Sequence, residues 1–181
     1  MDLSTVDATI EAAFLGVERD EECTLHEAQL RDHTLDREIS DAEWQAARGK
    51  DRETDWRQVP AEYLDECDAA LSHATPRSWR FYLPAYMRRA LRLLDADTWL
   101  PGSVIFHLTY SGKSPMMASY KLERFNLLDV VQGEAVRQFL EYCRDHPGRR
   151  SYYQRDAELA LGKYWALDEP KRPQGPKIIL P

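Results

Sequence analysis

Five times along the chain, a side chain able to cap a helix is followed three positions later by an acid or an amide. The pairs are Ser4 with Asp7, Thr24 with Glu27, Ser40 with Glu43, Asp129 with Gln132 and Ser151 with Gln154. In such a pair the cap oxygen accepts a free N–H of the first turn, and the second side chain reaches back to the cap's own N–H. Behind each cap the apolar residues recur at helical spacing rather than alternating. Val6, Ile10, Ala13, Phe14 and Val17 make one stripe, and Leu25, Ala28 and Leu30 a shorter one. Val131, Ala135, Val136, Phe139, Leu140 and Cys143 make the strongest, and Ala157, Ala160, Leu161, Tyr164 and Trp165 repeat the pattern near the C-terminus. Pro60 and Pro76 sit where proline is favoured as a first helical residue, its missing N–H having no partner there anyway. Tyr63, Leu64, Cys67, Ala70 and Leu71 follow Pro60 on one face. These signals predict an all-α fold, a compact single-domain bundle of about seven to nine helices over residues 1–169.

Three segments test that reading. Ser103 to Tyr110 is apolar and partly β-branched, so a buried strand and a short buried helix both fit. A helix is favoured, because a lone strand would leave its backbone groups unpaired. Pro84 lies in the middle of Phe81-Tyr82-Leu83-Pro84-Ala85-Tyr86-Met87. Inside a straight helix it would cost about 3 kcal/mol, so a short helix to Tyr82, a break at Leu83 and a new helix opening at Pro84 are expected. Phe81, Tyr82, Pro84, Tyr86 and Met87 then read as core, with Arg88, Arg89 and Arg92 pointing away. Residues 170–181 hold four prolines and one glycine among twelve positions, which predicts an extended Pro-rich tail, its Ile178-Ile179-Leu180 docked on the domain.

A chain of 181 residues can bury a real core as one domain. No run of about 18 apolar residues is present, so a membrane span is not expected. The start lacks the basic-then-apolar pattern of a secretory leader. Cys23, Cys67 and Cys143 are scattered and without Cys-x-x-Cys spacing, which suggests reduced thiols and a cytoplasmic location.

Charge is distributed unevenly. Residues 1–74 hold 20 Asp and Glu against 7 Lys and Arg, whereas residues 75–181 hold 11 against 17. Two uses follow from that asymmetry. The halves can attract each other across the fold, with Arg88, Arg89 and Arg92 pairing to the acidic half; or an acidic surface from residues 7–68 can steer a basic protein partner. Glu11, Glu18, Asp20, Glu21 and Glu22 are the candidate partner-binding residues for the second use, although such a run is more often a solvated face.

Catalytic signals are weak by comparison. His26 and His33 stand two turns apart, roughly 10 Å along a helix, too far for one ion to bridge, so surface or capping roles are expected and no metal or other cofactor is nominated. His107 in an apolar run reads as a satisfied core histidine, and His73 and His146 have no Ser or Cys at motif spacing. No glycine-rich phosphate loop occurs. No catalytic residue is therefore nominated; an enzyme would need a pocket assembled in three dimensions, for instance around Trp56, His107 and Tyr110. A helical nucleic-acid binder using Arg149, Arg150, Tyr152 and Tyr153 conflicts with a pI near 5.3.

The element Phe81 to Met87 also carries a family resemblance. Together with Thr24-Leu25-His26-Glu27-Ala28, Asp55-Trp56 before Val59-Pro60, Phe106-His107-Leu108-Thr109 and a helix opening at Gln132, it resembles an uncharacterised family of small bacterial domains. The similarity runs over roughly residues 7 to 166 and departs at Asp129-Val130-Val131-Gln132, where a Thr-Pro-like start would be expected. It implies a mostly helical bacterial cytoplasmic protein and lends no catalytic residues. Size and acidic charge, rather than the resemblance, suggest a non-enzymatic immunity-type inhibitor that neutralises a basic toxin.

Overall fold

The computed structural model describes residues 1–34, 36–147, 151–168 and 171–173, the side chains of 151 and 152 excepted. Ten α-helices and no strand occur among them: α1 (Leu3–Ala13), α2 (Leu25–His33), α3 (Asp41–Arg48), α4 (Ala61–Glu66), α5 (Ala70–His73), α6 (Pro76–Arg92), α7 (Leu100–Leu108), α8 (Pro115–Phe125), α9 (Val130–Asp145) and α10 (Ser151–Ala160). The all-α expectation holds, and the segment read as strand or helix is α7. Eight of the ten run to seven residues or more, in keeping with the expected seven to nine, and α4 and α5 are separate short pieces. Their interruption at Cys67 to Ala69 is supported from outside: the Tyr86 hydroxyl donates to the Cys67 carbonyl, and Gln29 Oε1 accepts the Ala69 N–H at 3.0 Å.

Local caps behave largely as their chemistry requires. Ser40 with Glu43 and Asp129 with Gln132 form reciprocal capping boxes, and Glu27 accepts the Thr24 N–H at 2.8 Å. At α1 the cap is Asp2 rather than Ser4: its carboxylate accepts the Thr5 N–H at 2.9 Å and the Ser4 hydroxyl at 2.7 Å. A carboxylate at a helix start gains from the helix dipole as well as the hydrogen bond, so it displaces a neighbouring serine. Ser151 opens α10, but its capping geometry lies outside the described residues. Val131, placed on the apolar stripe of α9, is 63% exposed, and burial begins at Gln132 and Ala135. The expected extended tail lies outside the described residues except for 171–173.

The expected break at Leu83 does not occur. α6 runs unbroken for 17 residues with Pro84 inside it, and every residue from Phe81 to Met87 is buried. Pro84 forfeits the bond to the Arg80 carbonyl, at about 3 kcal/mol. Burial of a large apolar side chain contributes roughly 1.5–3 kcal/mol, and Phe81, Leu83 and Met87 are fully enclosed. A break would re-aim all three, so continuity wins. We expect Pro84→Ala to raise the unfolding free energy by about 1 kcal/mol in urea titration, the regained hydrogen bond exceeding the lost ring contacts. A loss of stability would show that the ring's packing dominates.

α6 is the central element, packed against α1, α4, α5, α7, α8 and α9. One apolar cluster extends around it from Val6 to Trp165. Cys23, Cys67 and Cys143 are free and buried within that cluster. Burial pushes the Cys67 thiol up to about 12, so these sulfurs act as small apolar groups. Among the described residues no helix is long and apolar enough to cross a membrane.

Candidate functional site

Ionic pairing between the two halves of the chain is extensive at α6. Arg88 grips Asp7 with two bonds of 2.7 Å and reaches Glu11 at 3.2 Å, while Arg92 approaches Asp7 at 3.3 Å. The Arg88 guanidinium holds the Asp7 carboxyl below its usual range. Arg89 takes Asp65 with bonds of 2.9 and 2.5 Å. The outward arginines of α6 therefore fasten the acidic half to the core helix. Glu11, one of the five candidate partner-binding acids, belongs to this clamp, with Arg57 a further 3.7 Å contact.

The other four lie beyond the end of α1, where Gly16 turns the chain at φ 76°. Asp20 is committed to the fold: one oxygen accepts the Glu22 N–H at 3.2 Å and the other the Thr75 hydroxyl at 2.7 Å. Glu18 and Glu21 are exposed on a cleft of about 890 Å³ that also takes Leu15, Val17 and Leu127. Its far wall is Arg77 and Arg80 of α6 and Asp129 and Gln132 at the start of α9. Arg80 is occupied by Gln132 at 3.0 Å, and Arg19 by the Asp51 carbonyl at 2.7 Å. Glu22 faces a neighbouring cavity beside Asp41, Trp44 and the Glu27–Arg48 pair. Three of the five acids, Glu18, Glu21 and Glu22, are thus exposed and outside the clamp.

The structure also joins residues that the sequence left apart. Ser72 Oγ lies 3.3 Å from His107 Nε2, the contact expected of a serine nucleophile and its base. Two features oppose that chemistry. His107 Nδ1 is buried without a hydrogen-bond partner, so no carboxylate orients the ring. Burial and the charges of Lys121 and Arg124 push the imidazole down to about 3, too weak a base to take a serine proton. Lys121 is itself 1% exposed and pushed down to about 7 by burial and Arg124. Its Nζ donates to the carbonyls of Phe106 and His107 at 2.8 and 3.0 Å, and Arg124 donates to the Ala74 carbonyl at 2.6 Å. This face of α8 caps the C-terminal ends of α7 and α5. Of the other two residues of the pocket considered above, Trp56 donates its indole N–H to the Phe14 carbonyl at 2.9 Å, and Tyr110 packs on Tyr164.

His26 is a correction to the reading of the histidines as surface or capping groups. It is buried, its Nδ1 2.7 Å from Asp51 Oδ1 and its backbone N–H donating to Asp51 Oδ2 at 2.8 Å. Burial alone would raise the Asp51 carboxyl, but the two hydrogen bonds from His26 outweigh it and hold the group below its usual value. The partners are 25 residues apart, and no local spacing announces them. Arg149, Arg150 and Tyr152 lie outside the described side chains, while Tyr153 is buried with its hydroxyl on the Thr98 carbonyl at 2.6 Å. No group of three His, Cys, Asp or Glu side chains able to hold a metal occurs among the described residues.

No curated protein and no solved structure matches the chain. A profile of a family of unknown function, DUF6714, matches residues 2–169, nearly the whole helical body. The chain therefore belongs to the DUF6714 family of unknown function.

Proposed function

We propose that this chain is a non-enzymatic binding protein that takes a basic protein partner on the acidic surface of its N-terminal half, in the manner of an immunity-type inhibitor acting in the cytoplasm. The observation that carries the reading is the exposure of Glu18 and Glu21 on the 890 Å³ cleft, with Glu22 exposed on the neighbouring cavity, left over once the α6 arginines have engaged Asp7 and Glu11. Acids already paired inside the fold contribute little to a partner, whereas unpaired ones on a concave, partly apolar surface both steer and hold it. Leu15, 63% exposed beside them, supplies an apolar contact. Three reduced, buried thiols are in keeping with a reducing compartment.

The test is the affinity for the product of the neighbouring gene at two ionic strengths. Binding is expected to weaken at least tenfold between low and physiological salt, and to fall again on charge reversal of Glu18, Glu21 and Glu22. Absence of binding, or binding indifferent to those reversals, would overturn the reading. Asp20 is unsuited to the test because its bonds to Thr75 and Glu22 hold the loop.

A further inference from the structure

Residues 98–112 hold no Asp, Glu, Lys or Arg, the longest such run in a chain that is 30% charged. α7 lies inside it, and every other described helix of eight residues or more carries at least one charged side chain. A helix apolar all round is ordinarily enclosed all round. α7 is not: Leu100, Val104, Ile105 and Leu108 are buried, in a helix packed against α5, α6 and α10, but Trp99 is 62% and Phe106 60% exposed. Trp99 already has helical backbone angles, φ −96° and ψ −6°. Phe106, seven residues on, therefore lies on the same face, two turns and roughly 10 Å along the axis. Between them the stripe passes over Ser103, half-buried and short enough for a second backbone to approach.

What covers such a face must be apolar along the stripe and must answer opposite charges at its two ends. Asp95 stands four residues ahead of Trp99, exposed and 3.2 Å from His146. Lys113 stands beyond the other end, exposed and without an ion pair among the described residues. A second α7 lying antiparallel meets both requirements. Its acidic end faces the basic end, the helix dipoles oppose, and the two aromatics exchange places about a two-fold axis near Ser103. Parallel pairing would set like charges together. The net charge of −7 keeps copies of the chain apart at long range, and that repulsion is least where the surface carries no carboxylate. Four rings so exposed supply roughly 500 Å² of apolar burial, and the smallest specific interfaces need about 1,000 Å², so the rim contributes the rest and the association is weak.

We propose that α7 is the contact element of a two-fold homodimer, lying antiparallel to its counterpart with Trp99 stacked on the partner's Phe106. Phe106 presents one side of its ring to the Lys121 ammonium, 4.6 Å from the ring centre, and turns the remainder outward. Asp95 approaches the partner's Lys113 at each end of the seam. The seam shares no residue with the acidic cleft, so the two surfaces can be occupied together.

The experiment is sedimentation equilibrium of the full chain, with ¹⁵N NMR of the Trp99 indole followed over the same concentrations. The mass should double with loading, half-way at on the order of 10–100 μM, and the Trp99 indole and the amides of α7 should shift in step. Trp99→Ser and Phe106→Ser should each weaken the dimer at least tenfold. Lys113→Glu should weaken it about threefold, and adding Asp95→Lys should restore it. Lys113 is exposed in a loop, so its variants give an answer even where Phe106→Ser, which gives up the contact with Lys121, fails to fold. A dimer that ignores Trp99→Ser, or one weakened further by the charge swap, would overturn the proposal. So would a chain that stays monomeric to about 500 μM, well above the range of a weak specific pair. In such a monomer, a Trp99 resonance moved by deleting residues 174–181 would give the face to the chain's own C-terminus, and one moved by the product of the neighbouring gene would give it to that protein.

Discussion

Between pH 5 and pH 9 the unfolding free energy is expected to rise by about 4 kcal/mol, the reverse of what an ordinary acidic protein shows on its alkaline side. Two buried bases are responsible. His107 is pushed down to about 3 from an ordinary 6.5, so below 6.5 the unfolded chain binds a proton that the folded one refuses, and stability drops as the pH is lowered. Lys121 is pushed down to about 7 from 10.5, so from 7 upward the unfolded chain again holds the extra proton and stability climbs as pH rises. Each contributes about 2 kcal/mol inside this window, at roughly 1.4 kcal/mol per unit of pKa difference. Outside it other groups interfere: carboxyls held low, such as Asp7 and Asp51, lose stability in stronger acid, and buried thiols oppose the trend above about 9. Urea unfolding of the native chain, His107→Gln and Lys121→Met across the window separates the two. The first variant should flatten the acid limb and the second the alkaline limb. An alkaline limb that stays level from pH 7 to 9 would mean that the Phe106 and His107 carbonyls fully compensate the buried ammonium.

Arg88→Ala is expected to lower the unfolding free energy by about 3 kcal/mol. The guanidinium makes a two-bond contact with Asp7 and a further one with Glu11, and both Arg88 and Asp7 are only about one-fifth exposed. An open surface pair is worth at most about 1 kcal/mol, and breaking a buried one costs about 3–5 kcal/mol. The geometry and half-burial put this pair toward the buried end, and removing Arg88 leaves Asp7 and Glu11 one turn apart on the same face of α1 with only the longer contacts from Arg92 and Arg57. Asp7→Asn should cost about 1–2 kcal/mol, since the amide keeps one hydrogen bond. A double-mutant cycle should return a coupling of about 2 kcal/mol, and Asp7→Arg combined with Arg88→Asp should recover part of the loss. Additive single effects would show that the clamp is incidental to stability.

What the sequence made legible is what physics keeps local. The Ser40 and Asp129 capping boxes span four residues each, and both form. α7 was readable as a helix because a lone strand would leave backbone groups unpaired, and that argument needs no tertiary detail. The clamp between Asp7 and Arg88 was foreshadowed by opposite charge in the two halves, though charge alone could not say which acids it would use. Pro84 shows the limit of local reasoning: its cost is a property of the helix, but the burial that outweighs it comes from α1, α7, α8 and α9 closing around Phe81 to Met87. Asp51 on His26 and Ser72 on His107 join residues 25 and 35 positions apart, and no periodicity encodes such meetings. Lys121 was equally silent, because a lysine four residues before Phe125 on an amphipathic helix ordinarily reads as solvent-facing.

The division of the acidic half is what gives the binding reading its specific content. Asp7 and Glu11 belong to the clamp on α6, while Glu18, Glu21 and Glu22 are available to a partner. The most direct test is the association rate with the basic partner, measured by stopped-flow against ionic strength for the native chain and for the triple neutralisation of Glu18, Glu21 and Glu22 to Gln. The native rate should fall steeply with salt, and the triple variant should associate at least tenfold more slowly with most of the salt dependence gone, its unfolding free energy unchanged. A triple variant with the native rate and native salt dependence would contradict the account.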